Sequence, residues 1–199
     1  MARTTPDRTR RSERSRIAIL DAARELIGEV EYAKLTIEAI ATRAGVGKQT
    51  IYRWWPSKGA VVFDALLSAS ENPEGGGIEL PDTGDLGADL RTVLRATAAE
   101  FADPAFAAPL RALTTEIVND PDLAAVYRER MAEPMRAAKR RRLRSAQRAG
   151  QLRADADLDL VVDMLYGPLT QRWLQRSGRI DAEFADALAD AVLRAFAPA

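Results

Sequence analysis

Lys48, Gln49, Thr50, Tyr52 and Arg53 stand close together, on the outward faces of a predicted short helix whose apolar positions are Val46, Ile51 and Trp54. Lysine, tyrosine and threonine can hold DNA phosphates, and glutamine and arginine can make bidentate contacts to adenine and guanine. Lys58 adds an ammonium near the start of the next helix, where positive backbone groups suit a phosphate. With Thr36 these form the set expected to touch DNA: Thr36, Lys48, Gln49, Thr50, Tyr52, Arg53 and Lys58. An ordinary helical hairpin with a polar outer face has the same spacing, so the residues alone leave both readings open.

Such a set needs a rigid mount. Thr36 is suited to cap a helix, and Glu38 places negative charge in its positive first turn. Ile37, Ile40, Ala41 and Ala44 then form one apolar stripe at helical spacing. Gly45 follows the last of them and can take the left-handed backbone that ends a helix and turns the chain. The second helix runs from about Gly47 to Trp54. A helix-turn-helix lays the N-terminal part of its second helix in the major groove. Upstream, Ile17, Leu20, Ala23, Ile27 and Val30 predict an amphipathic helix from Ser15 or Arg16 that covers the motif. Downstream, Pro56-Ser57 opens a fourth helix to about Ser70, with Val61, Val62, Ala65 and Leu66 buried.

The stretch closely resembles the DNA-binding motif of TetR-family transcriptional regulators. The likeness lies in Ile40, Ala41, Ala44, Gly45 and Val46, then Thr50-Ile51-Tyr52 and Pro56-Ser57-Lys58. The chain departs from the family at Trp54-Trp55, where Tyr or His followed by Phe is commoner, and at Gly47, where Ser or Lys is commoner. Gly47 removes a hydroxyl cap and a phosphate contact. The specific likeness covers about residues 15 to 66; beyond that, helix order and Gly167-Pro168 match less specifically.

Composition narrows the alternatives. The 199 residues, 47% hydrophobic and 29% charged, suffice for a packed core in one large domain or a small and a larger one. Net charge is zero, yet residues 1–60 carry an excess of about five positive charges balanced by the remainder. A basic N-terminal part with an acidic remainder fits one nucleic-acid face. Without cysteine or histidine there is no disulfide framework, Cys/His zinc site or histidine-based nucleophile system. The acids Asp155, Asp157, Asp159 and Asp163 do not converge on one helix face, so no enzymatic activity and no cofactor are expected. No apolar run approaches the roughly 18 residues of a membrane helix, and no secretory signal is evident, so a cytoplasmic protein is expected.

Residues 1–15, rich in Arg, Thr and Ser, are expected to form a flexible basic arm. Residues 72–84, with clustered glycines and prolines, read as a loop. The rest predicts an all-α body. Helices are expected over about Asp85–Ala102, a short one around Ala105–Pro109, another carrying Leu110, Leu113, Ile117 and Val118, and a long one over about Pro121–Ala149 kinked at Pro134. The run Lys139-Arg140-Arg141-Arg142 with Arg144 reads as a solvated helix face or a second anion contact. A helix from Leu158 to Leu174 and a last one from Phe184 to Phe196 complete about nine or ten helices.

The resemblance implies a three-helix head over residues 16–62 and an effector-binding and dimerisation body over 63–199. The last two helices pair two copies, with Leu165, Leu169, Trp173, Phe184, Leu188 and Val192 as candidate contacts. Candidate effector-lining residues are Phe101, Phe106, Leu113, Ile117, Tyr127, Met131, Met135, Met164, Tyr166 and Trp173, which suit an apolar or aromatic small molecule, though core packing suits each one taken singly better. The expected function is a one-component bacterial transcriptional regulator, a repressor, that grips palindromic operator DNA as a homodimer and is released by a small effector. An architectural or cell-division DNA-binding protein of the same fold, without an effector, is the alternative.

Overall fold

The computed structural model describes residues 7–70 and 79–198. Among these the chain is all-α, with no strand. The helices are α1 Asp7–Glu29, α2 Ile37–Arg43, α3 Lys48–Tyr52, α4 Lys58–Ser70, α5 Leu86–Ala102, α6 Pro104–Asn119, α7 Pro121–Tyr127, α8 Glu133–Arg148, α9 Leu158–Gln175 and α10 Ala182–Ala195. A π-helical turn, Arg128–Ala132, joins α7 to α8 without a break. No described helix is long and apolar enough to cross a membrane.

Two compact units divide the chain: Met1–Gly75 with Ala108–Tyr127, and Gly76–Ala107 with Arg128–Ala199. In the first, Ile19, Leu20 and Ala23 of α1 pack with Ile37, Ile40 and Ala41 of α2, Ile51 of α3 and Val61, Val62 and Ala65 of α4. Arg43 pairs with Glu29 at 2.7 Å and Glu25 at 3.0 Å, tying α2 to α1. Phe63 of α4 meets Tyr127 of α7 edge-on, with ring centroids 5.8 Å apart. Gly59 lets α7 approach: a Cβ there would lie 2.8 Å from Leu123 Cδ2.

In the second unit, Leu86, Leu90 and Leu94 of α5 share a core with Leu143 of α8, Val161, Leu165 and Leu169 of α9 and Ala185, Ala189 and Val192 of α10. Ion pairs stitch its helices together. Arg91–Asp190 (2.5 Å) and Arg95–Asp186 (2.6 Å) join α5 to α10, and Arg136–Asp159 (2.6 Å) and Arg140–Asp159 (2.8 Å) join α8 to α9.

Several expectations need correction. Residues 7–15 are helical, so of the expected flexible arm only 1–6 lie outside the described residues. Extending an existing helix costs only propagation, which Arg-rich sequence supports even without apolar residues; Arg16 and Glu13 pair at 3.2 Å. In the loop expected at 72–84, residues 72–78 lie outside the described residues. Pro109 does not separate two helices: α6 runs through it, because burial along Ala107 and Leu113 outweighs one lost hydrogen bond. Pro134 leaves its mark as the preceding π turn, whose wider spacing accommodates a ring that would meet the carbonyl four residues back.

Candidate nucleic-acid interface

The motif begins at Thr36, whose Oγ1 accepts from Ala39 N at 3.1 Å and caps α2. The turn after α2 is made by Gly45 at φ 66°: its N–H donates to Thr42 O at 3.2 Å and that of Val46 to Ala41 O at 3.0 Å. This paired closure needs a left-handed residue, which glycine supplies without strain. Gly47 stands at the start of α3 with no side chain to cap it. Ile51, fully buried, anchors α3 to the head core.

Around that anchor Lys48, Gln49, Tyr52 and Arg53 are exposed and Thr50 is half-buried. Lys48 Nζ lies 2.5 Å from Glu38 Oε1. Their hydrogen bond and mutual charge raise the lysine and lower the carboxylate, so a phosphate must compete with Glu38 for this ammonium. Arg53 stands past the last helical residue, as the C-cap of α3. Its Nη2 donates to Ser12 Oγ of α1 at 3.1 Å, and its guanidinium carbon lies 5.7 Å from the Trp54 ring centroid.

Two placements differ from expectation. Trp54 is 40% exposed, whereas Trp55 is 4% exposed and donates from Nε1 to Asp64 at 2.8 Å. Because α3 ends at Tyr52, the following turn, not helical spacing, decides which tryptophan faces inward. Lys58 is half-buried, its Nζ donating to Tyr32 O at 3.1 Å and standing 4.1 Å from the Tyr32 ring centroid. Its ammonium is turned toward Tyr32 rather than outward, because a carbonyl and an aromatic face lie within reach. Ser57 does cap α4, accepting from Ala60 N at 3.2 Å.

The basic run of α8 is largely used within the chain. Arg142 is buried with Asp89, Arg140 pairs with Asp159, and Lys139 Nζ stands 3.3 Å from the Tyr166 ring centroid. Of the acids noted in the sequence, Asp159 is the partner of Arg140, Asp163 pairs with Arg136 and Asp155 with Arg153, while Asp157 caps α9, accepting from Asp159 N at 2.9 Å.

The candidate effector residues fall into both units. Leu113, Ile117 and Tyr127 belong to the first; Phe101, Phe106, Met131, Met135, Met164, Tyr166 and Trp173 to the second. Phe101 and Trp173 stack at 4.7 Å. Phe106 and Met164 are 37% and 39% exposed. Of the candidate dimer contacts, Leu165, Leu169, Trp173 and Val192 are buried within one chain, and Phe184 and Leu188 pack against the same core. Periodicity finds an apolar stripe, but the broader one on α9 faces the chain's own core. The outward apolar residues of α9 are Leu160, Met164 and Leu174.

A three-helix head with an exposed polar helix after a tight turn, followed by an all-helical body, defines a helix-turn-helix transcriptional regulator. The family model of bacterial regulatory proteins, tetR family, matches residues 19–65, and that of the tetracyclin repressor-like C-terminal domain matches residues 80–192. The chain is 33% identical over 187 residues to the HTH-type transcriptional regulator YdeS of Bacillus subtilis, covering 94% of this chain and 90% of that one. It is 29% identical over 188 residues to the DNA-binding transcriptional repressor TetR of Mycobacteroides abscessus, covering 92% and 94%. The crystal structure of the TetR family transcription regulator SCO0332 superposes with a TM-score of 0.76 at 36% identity, covering 92% of this chain and 99% of that one. The chain belongs to the TetR family of transcriptional regulators.

Proposed function

We propose that this regulator is a cytoplasmic repressor that binds palindromic operator DNA as a homodimer and leaves it when a small molecule occupies the body. The observation that carries the reading is the outward row Lys48, Gln49 and Tyr52 on a helix held from behind by Ile51, with Arg53 just past its end. Gln49 is the candidate adenine reader, while Lys48, Thr50 and Tyr52 meet phosphates or base edges. Thr36 keeps its hydroxyl proton for a phosphate while capping α2. Lys58 braces the head through Tyr32, and its part in DNA binding is indirect.

Residues 16–62 are assigned DNA reading, and 63–199 effector binding and pairing. Two copies meet through the outer stripe of α9, Leu160, Met164, Gly167, Gln171 and Leu174, with Ala187 and Ala191 of α10 also outward. These replace the buried residues as the pairing contacts. Pairing sets two heads about one duplex turn apart, which a palindrome matches. The effector is small and apolar or aromatic, consistent with Phe101, Tyr166 and Trp173 in the second unit. A shift of α6 or α7 reaches the head through Leu123 on Gly59 and Tyr127 on Phe63. The effector weakens DNA binding only by its differential affinity for the two states.

The test is selection from a random-sequence DNA library, with bound molecules sequenced and binding repeated at higher salt. A palindrome with half-sites about one turn apart supports the reading. Diffuse, salt-sensitive binding alone would leave phosphate contacts only and turn the assignment toward an architectural protein.

A further inference from the structure

Arg53 has the side chain of a guanine reader but not the position of one. Helix-turn-helix proteins read bases from the N-terminal part of the second helix, and Arg53 follows the last helical residue of α3. Its guanidinium is held sideways instead, with Nη2 on Ser12 Oγ at 3.1 Å and the Trp54 ring 5.7 Å away. Ser12 reaches it only because α1 begins at Asp7, several residues before the apolar pattern does.

On the reading of α3 as the DNA-facing helix, we infer that Arg53 is a phosphate clamp rather than a base reader, and that Ser12 is the residue that positions it. The hydroxyl takes one of several guanidinium N–H donors and leaves the others for a phosphate oxygen. The indole face limits the swing of the planar group. The first turns of α1 thereby take part in the DNA face through Ser12. Sequence preference then rests on residues early in α3, Gln49 above all.

The experiment uses the full-length protein, its selected operator and a panel of single-base variants, with affinity measured by fluorescence anisotropy across a salt series. Arg53→Ala is expected to weaken binding to every panel member by the same factor, roughly tenfold, and to lower the salt slope by about one. Ser12→Ala is expected to weaken binding roughly threefold with the salt slope unchanged, because the charge remains. Ser12→Thr, which keeps the hydroxyl, restores it. Alanine is the better helix former, so loss of folding does not explain a Ser12→Ala defect. Loss of preference at one base pair in Arg53→Ala, with the salt slope retained, would overturn the clamp. Full affinity in Ser12→Ala would overturn the positioning role. Failure of the wild type to bind any DNA would remove the underlying reading of α3, and the clamp with it.

Discussion

Arg142 Nη2 lies 2.6 Å from Asp89 Oδ2, and each side chain is only 4% exposed. The same carboxylate accepts from Thr83 N at 3.1 Å and Thr83 Oγ1 at 2.7 Å, and Arg142 Nε donates to Pro81 O at 2.8 Å. One buried pair thus joins α5, α8 and the stretch that leads into α5. Arg142→Met leaves a buried carboxylate without its cation and is expected to cost about 3–5 kcal/mol in urea denaturation. The double variant Arg142→Met/Asp89→Leu removes both charges and is expected to cost less than Arg142→Met alone. Burial pushes Asp89 up, but the bonds from Thr83 and Arg142 prevail and hold it below the usual carboxylate range. Its stabilisation is therefore present above the unfolded value and lost as pH falls through the lowered one.

The turn of the DNA-binding motif is sensitive at both ends of α2. Gly45→Ala forces a Cβ into a left-handed position at φ 66°, with an expected cost of about 1–2 kcal/mol. Thr36→Ala removes the cap on Ala39 N, with an expected cost of about 1 kcal/mol, whereas Thr36→Ser keeps it. Thermal melts compare the three. Full stability in Gly45→Ala would show that the turn can close another way.

The motif was legible because each local signal agrees with the next: cap at Thr36, apolar stripe to Ala44, glycine at Gly45, anchor at Ile51. The body's helices were legible from spacing, though α6 crosses a proline that local rules treat as a stop. What spacing could not supply was direction. It placed Trp54 inward and Lys58 outward, and in each the outcome depends on a contact from elsewhere in the head, Asp64 for Trp55 and Tyr32 for Lys58. The same limit applies to α9, where Leu165 and Leu169 are apolar in any reading but only burial tells which side they face. Ser12 carried no signal at all, since its role exists only where α1 passes Arg53.

The Lys139 ammonium is pushed down to about 8, chiefly by burial, with Arg136 adding to the effect and Asp163 opposing it. Between about 8 and the free-lysine value near 10.4, the unfolded chain binds more protons than the folded one. Stability from this group therefore rises with pH through that window, and its penalty is fully present below it. Burial pushes the neighbouring Tyr166 phenol up to about 12, so it keeps its proton meanwhile. Chemical denaturation from pH 7.5 to 9.5 is expected to show wild-type stability rising relative to Lys139→Met. Parallel curves for the two proteins would mean that Lys139 titrates normally.

The proposed pairing through α9 makes a demand that core packing does not. Leu160 and Met164, 49% and 39% exposed, stand one turn apart on the outer side of the helix, whereas Leu165 is fully buried in its own chain. In Leu160→Glu/Met164→Glu, new charges stay in water as long as the chain is alone, and meet desolvation and each other only when two copies close. The expected result is a folded monomer by sedimentation velocity, with helical content retained and operator affinity sharply reduced. Leu165→Ala makes a cavity instead, with an expected loss of about 2–5 kcal/mol of stability, so its dimer fails only as the fold fails. If the double glutamate variant stays dimeric at micromolar concentration, the outer stripe of α9 is not the pairing surface, and the two copies must meet elsewhere.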